Sequence, residues 1–160
     1  MTHAILSKLA KNRDSLLAAV ADLSEEELDT RSADGWTIRQ ILTHLVNAEE
    51  DHRSVIQAIR RGEAHLVPRQ ISLDEYNARR LDERGTLARQ QLLDALQEQR
   101  QETEHLFQEL SENQLNLPGT HPVIGDTTVA DIFRIIALHD RMHTQDIRAL
   151  LRATRPASHG

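Results

Sequence analysis

The chain has 160 residues, 39% of them hydrophobic, and a formal net charge of −6 at pH 7. That is enough to bury a core as one domain, without the clustered basic face that nucleic-acid binding needs. There is no cysteine and aromatics are 2%, which excludes disulfides, thiolate metal sites, a cysteine nucleophile and a base-stacking surface.

Leu6, Leu9, Leu16, Val20 and Leu23 recur at helical spacing and predict a first helix from Thr2 to Leu23. Lys8, Lys11, Arg13 and Asp14 interrupt that pattern, so it does not read as a secretory leader. No later apolar run approaches the roughly 20 residues of a membrane span, and the expected setting is the cytoplasm. Ser24-Glu25-Glu26-Glu27 has the form of a capping box that opens a short turn, before a polar loop at 31–35.

Thr37 and Gln40 make the strongest helix start, with Thr37 as cap, Gln40 reciprocating and Trp36 placed to staple against Ile41. This second helix runs to about Arg61 and stops at Gly62. Its inward positions include Ile41, His44, Leu45, Ala48, His52 and Val55. The stretch from Gly62 to Arg84 is a long connection with a short helical segment near Leu73–Arg79, and its length permits helices two and three to run parallel.

A third helix is predicted from Thr86 through Leu92, Leu93, Leu96, Leu106, Phe107 and Leu110. Ser111-Glu112-Asn113-Gln114 repeats the capping-box form. Pro118, Gly119 and Gly125 break the chain. Thr127 or Thr128 caps a fourth helix, with Asp131 in its first turn and Pro156 closing it. No stretch alternates like a strand. The pattern predicts an all-α four-helix bundle with a long crossover between helices two and three.

His139 and His143 are four residues apart on the fourth helix, so they share a face, and that face is the apolar stripe of Ile132, Ile136, Ile147 and Leu150. One histidine on such a stripe is ordinarily a hydrogen-bonded core residue. Two at this spacing can reach one metal ion from one side. Helix two offers a third in His44, roughly 9 Å from its start, against roughly 13 Å between His143 and the end of helix four. If those helices are antiparallel, the three imidazoles come level. Three neutral nitrogens leave room for water or substrate, and Zn, Ni, Fe or Mn all suit them. Asp51 and Asp146, two turns along from His44 and His139, are candidates for carboxylates that orient the ligands.

The run Trp36-Thr37-Ile38-Arg39-Gln40-Ile41-Leu42-Thr43-His44-Leu45 is followed by Asp74-Glu75-Tyr76-Asn77, His121-Pro122, Gly125 and His139-Asp140-Arg141-Met142-His143. In that order the chain resembles the DinB-like superfamily, which includes the YfiT-like, thiol-dependent transferases. The resemblance covers nearly the whole chain. It implies an up-down-down-up bundle with one divalent metal ion held by three histidines, here His44, His139 and His143. It further implies a homodimer and, in several members, a low-molecular-weight thiol such as bacillithiol or mycothiol as cofactor.

The leading expectation is thus a metal-dependent thiol S-transferase acting on a small molecule. The alternatives are a metal-dependent hydrolase or isomerase without a thiol, and a metal-binding stress protein with no reaction. His121, Tyr76 and Asn77 are candidate pocket residues, since the crossover must pass one end of the bundle.

Glu49-x-x-His52 and Glu102-x-x-His105 match the element of di-iron bundles, but helices one and four lack the two further glutamates. A zinc-peptidase reading is weaker: Asp140 stands where the glutamate base belongs, and only His159 follows as a third ligand. His3, His65 and His159 are expected at the surface.

Overall fold

A computed structural model describes residues 2–157, so His159 lies outside the described residues. Helix α1 (Thr2–Val20) leads to the single turn α2 (Glu25–Leu28) and then to α3 (Ile38–Arg60). A 3-10 turn at Ala64–Leu66 and helix α4 (Leu73–Arg84) form the crossover. Helix α5 (Arg89–Glu109) and the turn α6 (Glu112–Leu115) precede a hairpin of β1 (Pro118–His121) and β2 (Gly125–Thr128), which runs into α7 (Val129–Thr154).

The caps are where the side chains place them. Thr37 accepts from the Gln40 amide while Gln40 accepts from the Thr37 amide, and Ser24 with Glu27 and Ser111 with Gln114 do the same. Thr128 accepts from the Asp131 amide at the start of α7. Helix α5 starts at Arg89, not Thr86. Its first amides are satisfied by Gln91, which accepts from Ala88, and by Glu25, which accepts from Arg89. Helix α1 ends at Val20 rather than Leu23.

The four long helices form a bundle in which α1 packs on α7 and α5, and α3 packs on α5 and α7. One apolar cluster joins Ile5 and Leu9 to Ile56, Phe107, Ile132 and Phe133; the other joins Leu16 and Val20 to Ile38, Leu42, Leu96 and Ile147. The first therefore gathers the start of α1 and α7 with the end of α3 and α5. The order is up-down-down-up, with α3 and α7 antiparallel. Each fully buried Leu, Ile or Phe contributes roughly 1.5–3 kcal/mol by leaving water.

Between the two clusters lies a buried ionic layer with one charge from each helix. Arg13 donates to Glu49 at 2.5 Å and to Asp140 at 2.8 Å and 3.0 Å. Arg100 donates to Glu49 at 2.8 Å and to Asp140 at 3.0 Å. Thr103 donates to Glu49 at 2.7 Å, and each guanidinium also reaches a backbone carbonyl, of Leu96 from Arg13 and of Leu9 from Arg100.

The crossover helix α4 buries no residue and is held on α3 by charge instead. Arg84 donates to Asn47 at 2.8 Å and to Glu50 at 2.5 Å, while Arg80 meets Asp51 at 3.3 Å. The hairpin departs from the sequence reading, which expected no strand. Its four-residue strands carry too few apolar residues to alternate, and what fixes them is tertiary. Gly119 lies so close to Ile59 of α3 that any side chain there would collide with it, and Gly125 takes φ +81 to turn the chain. Among the described residues no helix is long and apolar enough to cross a membrane.

Candidate metal centre and its cavity

Three histidines meet where α3 and α7 face each other. Nε2 of His44 is 3.2 Å from Nε2 of His139, which is 3.0 Å from Nε2 of His143. All three side chains are part-buried, and one ring nitrogen of each falls within 4.8 Å of the others, a group that could hold a metal ion. The antiparallel run of α3 and α7 is what brings residue 44 level with residues 139 and 143.

Burial lowers all three imidazoles. It drives His44 to about 4, with His143 adding to it, and His139 to about 2, with His44 and His143 adding. His143 is lowered by burial despite the nearby carboxylates of Asp146 and Asp140. Neutral rings keep lone pairs, and protons cannot satisfy this arrangement. A neutral imidazole has one N–H and one acceptor nitrogen, so a single lone pair on His139 cannot accept from both neighbours well. One cation among the three nitrogens satisfies all of them. Nitrogens at about 2.0–2.1 Å from a tetrahedral ion lie about 3.3 Å apart, close to the spacing here. The donor set fits a divalent cation.

Trp36 stands beside the centre, its ring edge-on to His44 with centroids 5.3 Å apart. The tryptophan expected to staple the start of α3 thus also walls the first histidine. Asp146 lies 3.4 Å from Nδ1 of His143 but out of line for a hydrogen bond, and that nitrogen is buried without a partner. Asp51 sits elsewhere, paired with Arg80 and beside the hydroxyl of Tyr76. Burial raises its carboxyl, against the pull of Tyr76 and Arg80.

The centre opens on a cavity of about 540 Å³ between α3, α7, the crossover and the hairpin. His44 and His139 line it, as do Asp51, Tyr76, Asn77 and His121. Most of the remaining wall is apolar, with Val55, Val67, Ile71, Ile135, Leu138 and Met142 in it. His121 is buried, its Nε2 2.8 Å from Nδ1 of His52. Nothing in the sequence pairs these two, 69 residues apart, although His52 falls on the same inward face of α3 as His44.

The ionic layer was also missed by pattern reading. Its signal is that Arg13, Glu49, Arg100 and Asp140 each occupy an apolar-stripe position, two of either sign. The di-iron elements do not converge. Glu49 is enclosed by Arg13 and Arg100, Glu102 pairs with Arg53, and His105 is exposed beside Glu109. His3 and His65 are exposed, as expected.

A family model described as the DinB superfamily matches residues 8–147. At least two solved structures share the fold. One is YfiT from Bacillus subtilis, described as a probable metal-dependent hydrolase with an unusual four-helix bundle topology. It is 23% identical, with a TM-score of 0.73, over 95% of this chain and 86% of that one. Another is TT2238, a four-helix bundle protein, 21% identical with a TM-score of 0.62 over 93% of this chain and 99% of that one. No curated protein matches the chain.

Proposed function

The chain belongs to the DinB superfamily, and from that premise we propose that it is a metal-dependent enzyme acting on a small molecule in the cavity beside His44, His139 and His143. The observation that carries the proposal is the convergence of three neutral imidazole nitrogens, 3.0 and 3.2 Å apart, at the wall of an apolar cavity. His44, His139 and His143 hold one divalent cation, of which Zn, Ni, Fe and Mn are the candidates. When bound, such a cation supplies Lewis acidity and a nucleophile that is active at neutral pH. The apolar walls bind the substrate and displace water from it, which strengthens every charge interaction inside. The similarity to a probable metal-dependent hydrolase supports water as that nucleophile.

Thiol S-transfer is the second reading. The chain has no cysteine, so a sulfur nucleophile must come from outside, and a cavity of about 540 Å³ has room for a low-molecular-weight thiol. The cation would lower the thiol's pKa toward thiolate. A homodimer in the cytoplasm belongs to the same reading; a molar mass of one chain in light scattering removes the dimer.

Elemental analysis of the purified protein beside His44→Ala, His139→Ala and His143→Ala tests the centre. One divalent ion per chain, lost in all three variants, is the expected result. An ion retained by any variant sinks the three-histidine site. Turnover of an ester panel without thiol, set against S-conjugation of a chlorobimane with bacillithiol or mycothiol, then separates hydrolysis from transfer. Metal-linked stability with neither activity leaves a metal-binding protein without a reaction.

A further inference from the structure

The cavity has a second polar station, which the proposed chemistry does not use. His52 lies two turns along α3 from His44, roughly 12 Å at 1.5 Å per residue. Ala48 stands between them with only a methyl group, and all three line the cavity. Nδ1 of His52 is 2.8 Å from Nε2 of His121.

Which of those two nitrogens donates is decided on the far side of His121. Its Nδ1 accepts the backbone N–H of Val123 at 3.0 Å, with that of Ile124 at 3.4 Å, and so carries no proton. A neutral His121 then has its proton on Nε2 and donates it to Nδ1 of His52. The proton of His52 is left on Nε2. Burial keeps both rings neutral: it drives His52 to about 3, with His121 adding to it, and lowers His121 as well. Nε2 of His52 has no hydrogen-bond partner among the described residues and is not one of the polar atoms sealed inside the protein. It is a donor with a fixed tautomer and no acceptor among the described residues to receive it.

The remaining wall says what else the ligand must be. Among the described residues, the large hydrophobic side chains left exposed are Leu66, Leu73, Val123, Ile124, Leu138 and Met142, and every one of them lines this cavity. Exposed apolar patches of this kind mark ligand grooves. No lysine or arginine lines it, and its two carboxylates are Asp51 and Glu63. An anionic group along the cavity would meet no cationic side chain.

Resting on the proposed function for the reacting end, we propose that the substrate is an uncharged, mainly apolar small molecule with a carbonyl-type acceptor, held by the Nε2–H of His52 while its other end faces His44 and His139. His121 is a positioning residue that fixes the His52 tautomer.

The test titrates an uncharged naphthyl ketone, 6-propionyl-2-dimethylaminonaphthalene, and an anionic anilinonaphthalenesulfonate into protein of measured metal content. The ketone is expected to saturate one site per chain and the sulfonate to bind at least about tenfold more weakly. His52→Phe should weaken the ketone about tenfold, the cost of leaving one acceptor unpaired in an apolar site. His121→Leu should match it. His121→Gln, whose amide N–H can still donate to Nδ1 of His52, should stay within about threefold of wild type. Nitrogen-proton correlation spectra of the imidazoles should show both rings as the Nε2–H tautomer.

Any of four results overturns the inference: no saturable ketone binding, equal binding of the two probes, an Nδ1–H tautomer at His52, or wild-type ketone affinity in a folded His52→Phe variant. The metal content of the same samples keeps the two readings apart. Ketone binding that depends on His52 in protein that takes up no cation defeats the proposed function and leaves the ligand class standing.

Discussion

Asp140 follows His139 on α7, and Glu49 stands five residues beyond His44 on α3. The two carboxylates belong to the ionic layer at the bundle's centre, and the two imidazoles belong to the cavity wall. In the layer every carboxylate oxygen meets a guanidinium or hydroxyl donor, and the charges of Arg13, Arg100, Glu49 and Asp140 cancel. At the wall three acceptor nitrogens converge with no donor able to serve them all. A buried polar cluster that satisfies itself specifies how four helices register; one that cannot do so is built for something that arrives from outside. The contrast matters because α3 and α7 carry members of both clusters, so the helix a residue sits on does not separate the roles.

The largest expected effect breaks the closed side. Glu49→Ala leaves two buried guanidiniums with one carboxylate between them, and removing one partner of a buried pair costs about 3–5 kcal/mol. Urea unfolding reads the loss, and the cation content of the folded fraction should stay at the wild-type value. A loss below about 1 kcal/mol means that the layer is not closed and that the contrast is false.

Acid should separate the clusters by pH in metal-free protein. His44 is held at about 4 and His52 at about 3, against 6.5 for a free imidazole. The unfolded chain takes up protons that the folded chain refuses. Stability is therefore whole above about pH 6.5 and falls as the pH drops from there. Glu49 works in a lower window. Burial raises its carboxyl, but Arg13 and Arg100 outweigh that and the net shift is downward from 4.5. Its contribution is present above pH 4.5 and is lost only as the pH falls through its folded value. Between pH 6.5 and 4.5 each of these two rings should cost on the order of 2 kcal/mol, and His52→Phe should remove its share. A level profile down to pH 5 means the rings stand in water.

Much of this was legible beforehand. The caps at Thr37, Ser24 and Ser111 and the long crossover follow from local spacing. The antiparallel pairing of α3 with α7 is permitted by that connection and implied by the family resemblance, and once it is granted the helical stripes bring His44 level with His139 and His143. What spacing could not show was partnership across the chain. His121 finds His52 only because a hairpin with no apolar alternation is seated on Ile59. Arg13 and Arg100 look like ordinary surface residues until their stripe positions are counted against those of Glu49 and Asp140. Asp51, two turns from His44 along the helix, is drawn to Arg80 by a crossover helix that buries no residue.

Asp146 carries the smallest expected effect and the sharpest question about the open side. A histidine that binds a cation through Nε2 holds its proton on Nδ1, and an acceptor there orients the ring and raises its basicity. Nδ1 of His143 is buried without such an acceptor; the nearest carboxylate, Asp146, is 3.4 Å away, out of line, with 65% of its side chain exposed. Orienting carboxylates tune metal affinity by about 10–100-fold where they are held in place, whereas solvent screens this one. Asp146→Asn should therefore weaken the cation by about threefold at most, measured by competition with a chelator of known affinity. A loss of tenfold or more means that Asp146 swings onto Nδ1 when the cation binds, and the wall then completes itself on loading as the ionic layer does on folding.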